Sequence, residues 1–200
     1  FKNSAKVVLN VAKTSYAESF AINNGIAYVT REFVYTPIAS GKCGENATWA
    51  FYGNGQLVIG GSGAMYDYTS RSQQPWAAYR NQIKSIVIGK DITHVGQYAF
   101  AYSFNVLTVT FEEGSKVGSI GAVSFYYMVY LKSVVLPETV YSVGNLAFAY
   151  SENLASVYVP QNTESISAAA FKNSSKVVLN VAKTSYGETF AVKNDISYVT

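Results

Sequence analysis

Residues 143–160 read VGNLAFAYSENLASVYVP, and the spacing inside this stretch decides how the rest of the chain is read. Val143 precedes Gly144, Phe148 follows that Gly by four residues, and Leu154 leads into Val157 and Val159, set among small and polar residues. Apolar alternation over so short a run marks a strand with one buried face. The same spacing returns on both sides. The pairs Ala99-Phe100, Ser124-Phe125, Ala147-Phe148 and Ala170-Phe171 recur at intervals of 25, 23 and 23 residues. Gly96, Gly121, Gly144 and Ser167 stand four residues ahead of each Phe, with Val95, Ile120, Val143 and Ile166 just before them. After each Phe come Val106, Val109 and Phe111; Leu131, Val134 and Leu136; Leu154, Val157 and Val159; and Val177, Leu179 and Val181. Each unit is a strand, a turn, an apolar returning arm that holds the Phe, and a bend into the next strand. A unit of about 23 residues cannot bury its own apolar face, so neighbours must stack into a solenoid.

A longer period encloses the short one. Residues 1–30 return as residues 171–200, with 23 of 30 positions identical at an offset of 170. The chain opens on Phe1 inside a repeated unit, and the expectation is one 170-residue module plus an overlap, cut from a parent that carries the module in tandem. The expected divisions are a terminal repeat and cap of a preceding module over 1–30, a semi-rigid linker over 31–40, an N-terminal hairpin and helix cap over 41–82, the repeat array over 83–181, and a helix–strand cap over 182–200. In the first cap, Trp49 and Phe51 lie on one hairpin arm and Leu57 and Ile59 on the other, about Gly53-Asn54-Gly55. A short helix follows from Pro75 to Gln82, then a first array strand at Ile86–Ile88. In the closing cap, Ser185 and Glu188 form a capping box ahead of Tyr186 and Phe190, and Ile196–Val199 reads as a strand. Ser15, Glu18, Tyr16 and Phe20 repeat that box in the first copy, with Asn24-Gly25 as its stop.

The recurring I-G-x-x-A-F-x-x-S-x-x-L-x-x-V-x-V-P pattern, clearest from Val143 to Pro160, resembles the BspA-like leucine-rich repeat of bacterial surface proteins. The resemblance covers about residues 83–181, and residues 41–76, with GKCG, Trp49, GNGQLVIGGSGAMYDY and PW, resemble the segment that often precedes such arrays. It implies an α/β solenoid of leucine-rich repeats with short strands, a place at the surface of a bacterium or outside it, and adhesion to host or microbial surface proteins. One position departs: three residues after the Phe, where the family often has Cys, this chain has Ser103, Met128, Ser151 and Ser174.

The composition narrows the functions. Of 200 residues 49% are hydrophobic, 15% aromatic and 14% charged, which fits a packed core. The net charge is +3; residues 1–30 carry three Lys and one Glu, so residues 31–200, with 12 basic and 11 acidic residues, carry only +1. So small an excess is not the footprint of a nucleic-acid binder. No apolar run approaches the roughly 18–20 residues that would insert in a membrane.

Little in the sequence suggests chemistry. The one histidine, His94, reads as an exposed turn residue with only Asp91 and Thr93 nearby, and Glu112-Glu113 as an exposed loop where the second unit carries two extra residues. Gly60-Gly61-Ser62-Gly63 lacks the Lys-Ser/Thr of a phosphate loop. Leu136-Pro137-Glu138-Thr139 is a repeat turn, and Cys43, alone, reads as a small buried hydrophobe. No enzyme activity, no metal and no cofactor are expected.

The positive feature is a surface. Tyr102, Tyr127 and Tyr150, then Asn173, lie two residues after each Phe and fall in register on stacking. Either they form an exposed contact ladder or their rings pack along one another and cover the flank. On the strands, Ser85, Val87, Thr108, Thr110, Ser133, Val135, Ser156 and Tyr158 point outward, a neutral, hydroxyl-rich face. The candidate partner-binding residues are therefore Tyr102, Tyr127, Tyr150 and Tyr158. The expected function is a non-enzymatic, adhesin-like cell-surface module; the alternative is a building block of a surface fibre or layer that contacts its own neighbouring copies. A glycan is a further candidate partner.

Overall fold

A computed structural model describes residues 9–12, 21–24, 26–31 and 36–200, and the chain divides into two compact units, Phe1–Thr36 and Pro37–Thr200. In the first, strand β1 (Leu9–Ala12) pairs in parallel with β2 (Tyr28–Arg31), Leu9 opposite Tyr28. Residues 21–23 are helical, and the Ile26 N–H closes on the Ala21 carbonyl at 3.0 Å. The capping box expected at Ser15 and Glu18, with Tyr16, Phe20 and the Gly25 stop, lies outside the described residues.

The second unit begins with three antiparallel strands, β3 (Ala39–Lys42), β4 (Gly44–Phe51) and β5 (Gln56–Met65). Trp49 lies opposite Ile59 and Phe51 opposite Leu57, the pairing that the hairpin pattern predicts. Within the stretch expected as a linker, 31–40, Arg31 closes β2 and Ala39-Ser40 open β3. Ala39-Ser40-Gly41-Lys42 lacks the alternation that announces a strand; it pairs because β4 offers it an open edge. The expected helix after Pro75 is a 3-10 turn, Ala77–Gln82.

From β5 onward all pairing is parallel, in two ladders. The first half of β5 pairs β6 (Ser85–Ile88), which pairs β8 (Thr108–Phe111); its second half pairs β7 (Ile92–Val95), then β9 (Ser119–Ile120), β11 (Ser142–Val143) and β13 (Ser165–Ile166). The first ladder resumes with β10 (Ser133–Val135), β12 (Ser156–Tyr158) and β14 (Val178–Asn180). These are the turns of a β-solenoid, and Ile86, Val109, Val134, Val157 and Leu179 fill the same buried place in successive turns.

The returning arm has its own ladder. N–H groups of alternate residues donate to the next turn: Tyr98 to Ala122, Phe100 to Ser124, Tyr102 to Tyr126, then Val123 to Asn145, Phe125 to Ala147 and Tyr127 to Ala149, at 2.8–3.0 Å. The residues between them close tight turns, as Ala101 N–H does on the Tyr98 carbonyl. This alternation sets Tyr98, Tyr102, Val123, Tyr127, Leu146 and Tyr150 at φ of 55–63°, a left-handed backbone that costs an L side chain roughly 1–2 kcal/mol at each place. The forward hydrogen bonds hold it there. Gly121 and Gly144 recur because a Cβ at either would sit 2.6 Å from a backbone atom of the preceding turn.

Inside the arm the phenylalanines form a column. Phe100, Phe125, Phe148 and Phe171 stack at centroid distances of 5.4, 5.1 and 5.6 Å. Both caps extend it: Trp76 stacks on Phe100 at 5.5 Å, and Phe190 meets Phe171 at 6.3 Å. Phe190 belongs to helix α1 (Tyr186–Lys193), where the Ser185 hydroxyl accepts from the Glu188 N–H and the Glu188 carboxylate reaches back to the Thr184 N–H. Strand β15 (Ser197–Val199) then pairs with β14, Leu179 opposite Tyr198. That is the register of Leu9 and Tyr28, 170 residues later. At the N-terminal end the cap supplies the missing donors: the Tyr68 N–H bonds the Gln97 carbonyl, and the buried Gln74 amide bonds those of Tyr98 and Ala101 at 2.6 and 3.2 Å.

Candidate functional site

The tyrosines two residues after each Phe come together as a second column, parallel in kind to the first but half-buried. Tyr102 and Tyr127 stack at 5.7 Å and 13°, Tyr127 and Tyr150 at 5.4 Å and 8°. Both faces of the Tyr127 ring are therefore covered by its neighbours, and its exposed part is the ring edge and hydroxyl. The structure thus combines the two readings of the ladder: the rings pack along one another and still present a continuous edge. Asn173 continues the position at φ 59°, a backbone that Asn adopts more readily than Tyr.

Three partners of this column were not legible as repeats. Tyr126 leans on Tyr102, Tyr127 and Tyr150, within 5.2–5.5 Å of each. Burial raises the pKa of its phenol, and the phenols of Tyr102, Tyr150 and Tyr127 push it further the same way. Phe104 meets Tyr102 and Tyr127 edge-on. Arg71 closes the N-terminal end, its guanidinium carbon 4.7 Å from the centre of the Tyr102 ring. Tyr126 and Phe104 stand at repeat positions that other units fill with Ala101 and Ala149, or Val129 and Glu152, and Arg71 lies outside the array.

Tyr158 lies away from this column, on β12. Its hydroxyl donates to Glu138 Oε1 at 2.7 Å; that hydrogen bond, then burial and the carboxylate charge, raises the phenol pKa. Around it the outward strand residues are exposed or half-buried as expected, with one irregularity. Among the described strands β8 pairs β6 and β10 pairs β12, and the two do not pair each other, so the first ladder is split between them. A cavity of about 770 Å³ opens at the split.

His94 is placed differently from its reading as an isolated turn residue. It lies in β7, half-buried, with Nδ1 2.7 Å from Ser119 Oγ and Nε2 3.2 Å from Asp67 Oδ1. Burial pushes the Asp67 carboxyl pKa up, but hydrogen bonds from the Gln97 N–H and His94, with the attraction of His94, outweigh it and hold the group below the ordinary carboxylate value. Asp67 comes from the N-terminal cap, and the trio fastens that cap to the first two turns. The partners are 27 and 25 residues from His94, one of them in a non-repeating segment, so local reading misses them.

The other isolated groups behave as structure. Cys43 is fully buried, and burial pushes its thiol up to about 12, away from the reactive thiolate. Glu112 opens an exposed turn closed by the Ser115 N–H, and its carboxylate accepts from the Lys90 N–H. Ser151 and Ser174, at the place where the family often has Cys, are buried and accept from the N–H groups of Met128 and Ser151. Among the described residues no three or more His, Cys, Asp or Glu side chains converge to hold a metal ion, and no helix is long and apolar enough to cross a membrane.

The comparisons with known proteins agree with this architecture. The family described as BspA type leucine-rich repeat region matches residues 76–186 in six copies. A leucine-rich repeat protein of Eubacterium ventriosum superposes with a TM-score of 0.56 at 22% identity, over 72% of this chain and 45% of that one. The T. pallidum leucine-rich repeat protein superposes with a TM-score of 0.50 at 17% identity, over 73% of this chain and 71% of that one. The chain thus spans under half the length of the Eubacterium protein. No curated protein matches the sequence.

Proposed function

The chain belongs to the BspA type leucine-rich repeat family, a family of bacterial surface proteins, and from that premise we propose that it is a non-enzymatic, adhesin-like module that binds surface proteins of a host or of other microbes. The single observation that supports this reading most is the stacked Tyr102–Tyr127–Tyr150 column on the flank. Large rings already immobilised by each other lose little entropy on contact, and each offers apolar area beside a polar tip. The low net charge of residues 31–200 suits a protein partner and not a polyanion.

Capture from an immobilised extracellular-matrix extract tests it, comparing the chain with a variant carrying Tyr102→Ser, Tyr127→Ser and Tyr150→Ser. The variant is expected to lose most of the capture while keeping its β-rich circular dichroism. Equal capture by both removes the column from the account.

A second reading, a repeating element of a surface fibre, draws support from the register shared by β1 with β2 and by β14 with β15. A regular rod needs every junction alike. Electron microscopy of the concentrated chain separates the readings: filaments with a fixed axial repeat favour the fibre, and dispersed single particles count against it.

A further inference from the structure

We propose that the split between β8 and β10 is a docking groove for an extended peptide that carries a lysine or arginine side chain. The split has a cause in the sequence. The unit from Phe100 to Phe125 is two residues longer than its neighbours, and aligning its turn with Pro137-Glu138-Thr139-Val140 places the extra pair at Gly114-Ser115. Gly114 takes φ +73°, and the Ser115 N–H closes on the Glu112 carbonyl. From the next turn, the Thr139 hydroxyl pins the widened loop through the carbonyls of Ser115 and Val117, at 3.1 and 2.7 Å. The opening is thus built into the turn and held in place.

What lines the opening is unlike the rest of the strand face. Leu107 and Val135 are 55% and 68% exposed, beside Phe111 and Pro137, on a face otherwise rich in hydroxyls. β8 and β10 stay neighbours without pairing, so the ladder is interrupted beside this apolar floor. The rim is acidic. Glu112 and Glu138 are each fixed by one hydrogen bond, from the Lys90 N–H and the Tyr158 hydroxyl, and Glu113 has no side-chain partner among the described residues. Among the described residues that line the opening, the cation is Lys116, which is bound to Asp91 at 2.7 Å and does not offset them. A long aliphatic stem ending in a cation matches an apolar floor below a carboxylate rim. The inference rests on the reading that the module binds proteins, but it uses no residue of the tyrosine column.

The test is fluorescence anisotropy with the full 200-residue chain at low salt. The probes are two labelled seven-residue peptides of alternating valine and threonine, one with a central arginine and one with a central glutamate. The arginine peptide is expected to bind at least about tenfold more tightly, one well-placed charge contact. Glu113→Lys with Glu138→Lys should reverse that preference. Deleting Gly114 and Ser115 keeps every charge, restores the 23-residue spacing and should abolish binding. If the deletion variant does not fold, Val135→Arg, at a 68% exposed position, places a cation in the groove and should abolish binding instead. The tyrosine triple variant should bind the arginine peptide normally, so failure of the column and failure of the groove give different results. Equal binding of the two peptides, no binding of either, or binding that survives both the deletion and Val135→Arg overturns the proposal.

Discussion

Two aromatic columns run through the same turns, two residues apart in three successive repeats. Phe125 and Phe148 stack at 5.1 Å and 8°; Tyr127 and Tyr150 stack at 5.4 Å and 8°. The geometry is nearly the same, and the surroundings are not. The phenylalanines are sealed between the two strand ladders and the arm, capped by Trp76 and Phe190. The tyrosines sit on left-handed backbone at the surface, capped at one end by Arg71 and followed at the other by Asn173. One arrangement therefore meets two surroundings: solvent exclusion makes the inner column the source of cohesion, and the outer one leaves its ring edges in solvent.

The largest blow to the comparison is Phe125→Ala, which opens a cavity in the middle of the inner column. It is expected to cost about 3–5 kcal/mol in urea unfolding. Tyr127→Ala removes the equivalent ring outside and should cost only about 2 kcal/mol, for two aromatic stacks of about 1 kcal/mol each. Comparable losses would mean that the outer column is core by another name. Tyr127→Gly sharpens this, since it deletes the ring but relieves the φ of 62° and should be more stable than Tyr127→Ala by about 1 kcal/mol. Next, Arg71→Ala uncaps the outer column and should cost about 0.5 kcal/mol by the same measurement, the worth of an exposed cation–π contact.

The smallest effect concerns the clip that holds the cap, and with it Trp76, over the first turn. Asp67 has a lowered pKa in the folded chain, so its contribution is present above the unfolded carboxyl value near 3.8 and fades as pH falls through the lower folded value. Asp67→Asn is therefore expected to cost a few tenths of a kcal/mol at neutral pH, as exposed pairs do. The difference from the unsubstituted chain should shrink toward zero at strongly acid pH, followed by urea midpoints across the range.

Much of this was legible because stacking converts a sequence interval into a spatial column. Knowing that Phe100, Phe125 and Phe148 recur at about 23 residues is enough to place both columns and the outward strand residues. The hairpin partners of Trp49 and Phe51 were legible for the same reason, an alternating pattern about a Gly-rich turn. What escaped has no period. Asp67 and Arg71 come from the cap, Tyr126 and Phe104 occur in one unit only, and β3 carries no apolar pattern of its own. The 25-residue interval was visible, but two extra residues in a turn leave open whether the loop bulges or the ladder breaks, and the bonds from Thr139 to Ser115 and Val117 come from the next turn.

The arm ladder gives the array a direction. The arm N–H groups of Tyr98, Phe100, Tyr102, Val123, Phe125, Tyr127, Phe148 and Tyr150 all point toward the following turn. Their peptide dipoles add like vectors, so the arm has an acceptor pole and a donor pole. The cap neutralises the acceptor pole with the Tyr68 N–H and the Gln74 amide. A turn grafted on in reverse would set donor against donor. The array therefore lengthens only by units that keep this polarity, which duplication of a whole 23-residue repeat does at any internal boundary.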